Sequence, residues 1–171
     1  MTRRVGTVLI VLLLAIAAGC DGGDGEVATQ PPPGTTSTTT GEAALKDAVR
    51  LALRRNDRLS GYVLWRNRVP TWATQTTRGP ALVTLRQSAA DRRKRGVRIR
   101  TLANRLEISS IELDPSYTTA TATVRSIQRV RPYRGGKPSG RAVKLDERAD
   151  VELRRLGASD RFVVWKVRVL G

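Results

Sequence analysis

The chain has 171 residues and one cysteine, Cys20, so no intramolecular disulfide can form and the fold must rest on apolar packing and hydrogen bonds. Where that cysteine stands is equally restrictive. It closes the segment MTRRVGTVLIVLLLAIAAGC, in which Arg3 and Arg4 precede an apolar run from Val5 to Ala18 interrupted only by Gly6 and Thr7. A positive start, a short apolar centre and small residues before a cleavage point form the layout of an export signal. The run is shorter than the roughly 20 apolar residues that span a bilayer.

The ending IAAGC resembles the bacterial lipobox, with Ala17 where leucine is more usual. That resemblance implies a diacylglycerol thioether on Cys20, cleavage of residues 1–19 and acylation of the new amino terminus. Each acyl chain contributes about 0.8 kcal/mol per buried methylene, enough in pairs to hold a soluble domain at a bilayer. An uncleaved signal anchor, or a coincidental cysteine, is the alternative. The expected location is the outer face of the cytoplasmic membrane. Only five of the 31 basic residues are lysine, a bias that resembles a GC-rich Gram-positive proteome.

Residues 20–40 (CDGGDGEVATQPPPGTTSTTT) hold almost no bulky apolar side chain, so they form a flexible tether. Its Thr-rich part serves as a plain spacer or carries O-linked sugars. Residues 41–171 are one domain in size. The formal charge is +16, and removal of Arg3 and Arg4 leaves 16 − 2 = +14 on the side chains. Such a surface favours anionic lipid, wall polymer or an acidic membrane protein. An exported protein meets little nucleic acid, so none is expected as a partner.

Within the domain, Thr39 and Glu42 have capping-box spacing, and Leu45, Ala48, Val49, Ala52 and Leu53 recur on one helical face. Gly61 to Thr77 reads as a loop or short strand carrying Tyr62, Trp65 and Trp72. Gly79-Pro80 opens a second helix that Gly96 ends. Strands follow. The alternation beginning at Val97 changes parity near Ser109 and Ser110, which predicts a bulge before Leu113. Asp114-Pro115-Ser116 is a turn, and Tyr117 to Val130 is a strand with Ala120, Ala122 and Val124 on one face. Pro132 to Gly140 reads as a loop. Val143, Leu145, Ala149, Val151 and Leu153 then face inward on one strand, and Val163, Trp165, Val167 and Val169 share a face of the last.

The fold class is α+β, with N-terminal helices packed on a curved antiparallel sheet of about four strands. This order, ending in FVVWKVRVL, resembles the nuclear transport factor two-like fold, which includes ketosteroid-isomerase-like and SnoaL-like proteins. The resemblance implies a cone-shaped sheet around a cavity, and homodimers through the exposed sheet face. It extends to membrane-tethered members associated with lipid-import complexes, hence the reading as an accessory subunit of a transporter.

The chain has no histidine, which removes Ser-His-Asp, Cys-His and histidine-bearing metal sites. No cofactor or metal is expected. Glu147 is the one acid on the apolar parity of its strand, the weak candidate for a proton acceptor in a pocket isomerase or hydrolyase. Pairing with Arg105 or Arg125 is its structural alternative. Tyr117, Tyr133, Trp65, Trp72 and Trp165 are core aromatics or pocket walls. The run Asp91 to Arg100 offers Arg92, Arg93, Lys94, Arg95, Arg98 and Arg100 to an anionic partner, or forms a solvated helix end. A non-catalytic binding or scaffold domain is the leading expectation. Intact mass of the protein purified from membranes should show residues 1–19 removed and a diacylglycerol adduct on Cys20; a retained leader with a free thiol would refute the anchor.

Overall fold

The computed structural model describes residues 38–170. The leader, Cys20 and nearly all of the expected tether lie outside the described residues, as does the side chain of Thr39 with its expected capping contact.

Helix α1 spans Thr38–Arg66. At 1.5 Å per residue its 29 residues make a rod of about 43 Å. Leu45, Val49, Ala52, Leu53, Leu59, Val63 and Leu64 are buried along it, continuing the apolar stripe well past Gly61. The expected loop over Gly61 to Thr77 is therefore corrected: its first part is helix. A mid-helix glycine costs about 0.5–1 kcal/mol relative to alanine, and burial of Leu59, Val63 and Leu64 outweighs that. Asn67, at φ 50°, turns the chain out of the helix. Trp72 then sits on a short 3-10 helix, Thr71–Gln75.

Helix α2 spans Gly79–Lys94 with proline in its first turn, and Gly96 at φ 63° follows its end. Five strands come next: β1 Val97–Leu113, β2 Thr119–Arg134, β3 Lys137–Pro138, β4 Val143–Arg155 and β5 Phe162–Leu170. They form an antiparallel sheet of order β1-β2-β4-β5, with β3 a two-residue return against β2. The expected loop from Pro132 is corrected: β2 runs on to Arg134 and turns at Gly135 and Gly136, both at positive φ. The Asp114 turn is as expected. Its carboxylate accepts the Ser116 hydroxyl and, at 2.6 Å, the Thr119 amide, and these bonds, the hydroxyl's foremost, lower its pKa to about 2.

Three register shifts interrupt the ladders. The one between Ile108 and Ser110 is the expected bulge. Another lies between Thr101 and Ala103. The third, where β4 meets β5, leaves Trp165 as the extra residue, because Glu152 faces Lys166 while Leu153 faces Val164. It corrects the single face expected for β5: Phe162, Val164 and Val167 join the core, and Trp165 is set apart from it. Trp165 lies instead against Gly79, with the Arg154 guanidinium 4.0 Å from its ring centre. Val143, expected inward, is exposed at the start of β4.

The core lies between the helices and the sheet, where Val49, Leu53, Ala120, Ala122, Val124, Val151, Leu153 and Val164 form one cluster. The opposite parity of the sheet carries ion pairs: Arg125 with Asp146 at 2.7 Å, Arg168 with Asp150 at 2.7 Å and Arg154 with Glu152 at 3.1 Å. The edge of β5 is bridged at Val164, whose amide donates to the Thr76 carbonyl and whose carbonyl accepts the Arg78 amide, each at 2.9 Å.

Two glycines should respond to alanine with opposite sign. Gly61 has open space where a Cβ would stand, so Gly61→Ala should raise stability by about 0.5–1 kcal/mol in urea unfolding. Gly79 has φ +56° and a Cβ there would lie 2.6 Å from the Trp165 ring. Gly79→Ala should cost about 1–3 kcal/mol and shift the tryptophan emission.

Candidate functional site

The two helices end close together, and the turn between β2 and β3 stands near both ends. Arg66 closes α1, Arg93 lies in the last turn of α2, and Arg98 is the second residue of β1. With Asn67, Gly96, Tyr133, Gly135 and Gly136 they line a groove of about 370 Å³. A smaller groove of about 260 Å³ shares Arg66 and Arg98 and adds Tyr62 and Arg68. No carboxylate lines either groove. Four guanidiniums thus share one surface with aromatic walls, an arrangement that attracts anions and suits the bidentate recognition of phosphate.

The structure divides the basic run that the sequence offered as one patch. Arg93 and Arg98 enter the groove. Lys94 and Arg95 are exposed at the end of α2, where the helix dipole favours cations. Arg100 lines a separate groove with Gly61, Trp65 and Thr101. Arg92 is withdrawn altogether at 5% exposure, which corrects its place among residues offered to a partner. Its Nε donates to Asn67 Oδ1 at 3.2 Å and its Nη1 to Ser88 Oγ at 2.6 Å. Burial, then the charge of Arg95, pushes its pKa down, against a smaller opposing effect of Asp91. Arg66, Arg68 and Tyr62 were missed because the segment that carries them reads as loop.

Glu147 is half-buried and stands opposite Ser126 in the ladder. Neither arginine expected as its partner reaches it: Arg125 holds Asp146 through two bonds of 2.7 and 2.8 Å, and Arg105 holds Glu107 at 2.9 Å. Burial raises its pKa. Glu147 lines none of these three grooves. The aromatics do not gather around it. Trp65 packs edge-on against Tyr133 at 5.4 Å, Tyr62 against Trp72 at 6.0 Å, and Tyr117 packs on the main core cluster. Among the described residues no three acids, histidines or cysteines are grouped to hold a metal.

No protein family matches the chain, and no curated protein is similar to it in sequence. Among solved structures, the intermembrane-space region of the chloroplast protein ARC6 is similar, with TM-score 0.56 and 12% identity over 81% of this chain and 98% of that one. At that identity the likeness concerns the fold alone.

A carboxyl whose pKa rises on folding binds its proton more tightly in the folded state. Stability therefore falls as pH climbs from the unfolded value, about 4.3, through the folded one. Glu147→Gln should raise the urea midpoint at pH 7 and leave it unchanged at pH 3. A lowered midpoint at pH 7 would mean that the ionised carboxylate stabilises the fold.

Proposed function

We propose that this chain is a lipid-anchored, non-catalytic binding domain on the outer face of the cytoplasmic membrane, one that engages phosphate-bearing lipid head groups or wall polymer. Under this reading it is a divergent nuclear transport factor two-like protein. The observation that carries the proposal is the pair of adjoining grooves, sharing Arg66 and Arg98, in which Arg93 and Arg68 also stand and no carboxylate does. Like charges held near one another destabilise a fold by mutual repulsion, which a bound anion would relieve.

The groove complements the proposed anchor physically. A single acyl chain gives marginal membrane binding, and chains combined with a basic surface hold firmly. Each arginine near an anionic leaflet adds about 1 kcal/mol. A tether of about twenty residues has a root-mean-square span of roughly 25 Å, so the groove at the far end of α1 would meet the surface with that helix lying along the membrane. An enzymatic role through Glu147 gains no support from grooves that leave that acid out.

The test uses the acylated protein in neutral detergent, titrated with a short glycerol phosphate polymer. Binding should be strongest in low salt, and Arg93→Gln with Arg98→Gln should weaken it about tenfold or more by removing two charge-assisted contacts. Unchanged affinity in that double variant, or no binding in low salt, would reject the proposal.

A further inference from the structure

A further groove, of about 510 Å³, lies along the middle of α1 and is lined by Leu51, Arg55, Arg58, Trp72, Gln75, Thr76 and Arg161. We infer that it docks an acidic segment of a partner protein, one in which carboxylates flank a bulky apolar side chain. The groove and the ligand class both differ from those of the proposed phosphate site.

Its centre is apolar and exposed. Of five large apolar residues exposed on the domain, Leu51 at 48% and Trp72 at 42% are the two that line this groove. Trp72 is held in place: its short helix follows Pro70, and its ring is backed edge-on by Tyr62 at 6.0 Å. A rigid, exposed tryptophan beside an aliphatic side chain is the usual form of a binding anchor, because little freedom remains to be lost on association.

The rim is positive and unbalanced. Arg125, Arg154, Arg155 and Arg168 each hold a carboxylate. Among the described residues, no acid lies within ion-pairing distance of Arg55, Arg58 or Arg161. Leu51, Arg55 and Arg58 recur at helical spacing on one face of α1, and Tyr62 and Arg66 continue it. An apolar anchor ringed by free cations is complementary to a segment that alternates bulky apolar and acidic side chains. A phosphate polymer would satisfy the arginines but leave Leu51 and Trp72 in water, so the apolar floor decides for protein.

The experiment places the acylated protein in nanodiscs of zwitterionic lipid and measures the anisotropy of a labelled peptide in which two phenylalanines are flanked by glutamates. The inference expects binding that falls about tenfold in Trp72→Ala, falls likewise in Leu51→Asp, and is unaffected by Arg93→Gln with Arg98→Gln. Trp72 and Leu51 are both exposed, and circular dichroism of each variant confirms its fold. Three results would overturn the inference: no binding by the peptide, equal binding by a version with serines for phenylalanines, or displacement of the peptide from this groove by glycerol phosphate polymer.

Discussion

A buried arginine without a carboxylate partner joins the two helices to the sheet. Arg92 reaches from α2 to Asn67, the residue that ends α1, while the Asn67 amide nitrogen Nδ2 donates to the Val97 carbonyl at the start of β1 at 2.6 Å. Three elements thus meet at the Asn67 side chain, which is held by an arginine whose charge has been taken out of water. Breaking such a network leaves an uncompensated buried charge, which typically costs more than the intact bonds contribute. The left-handed turn at Asn67 is fixed by the same contacts. With Arg92 turned inward, Arg66, Arg68 and Arg93 are left on the outside, where they form the groove.

The strands were legible because their apolar and polar residues alternate over long runs, and the parity change at Ser109 and Ser110 marked a real bulge. The bulge at Trp165 was not, since Val163, Trp165, Val167 and Val169 alternate without interruption. Only the pairing of β5 with β4 reveals the extra residue. The length of α1 was hidden by Gly61, a helix breaker in isolation that tertiary burial of Leu59 and Val63 overrides. Half of the groove was lost with that misreading. The inward turn of Arg92 did leave a trace: Leu82, Leu85, Ala89 and Arg92 follow one another at helical spacing, placing the arginine on the apolar side of α2.

Ion pairing is distributed unevenly over this domain. On the outward parity of the sheet, Arg125, Arg154 and Arg168 are matched to Asp146, Glu152 and Asp150. Along α1 and the end of α2, the arginines of both grooves stand without acids. Net positive charge is nevertheless carried by both layers, since residues 38–96 hold 13 basic and 4 acidic side chains and residues 97–171 hold 16 and 8. Aromatic side chains accompany the arginines in both grooves, which suits surfaces meant to be covered.

The most direct measurement of this account is the exchange behaviour of the arginine Nε–H groups by nuclear magnetic resonance, with and without a phosphate polymer. The structure predicts that Arg92 gives a resolved, slowly exchanging signal that the polymer leaves in place, while Arg93 and Arg98 exchange rapidly and shift when it is added. An Arg92 signal that exchanges and shifts together with its neighbours would contradict the central claim that one arginine holds the fold so that the others can bind.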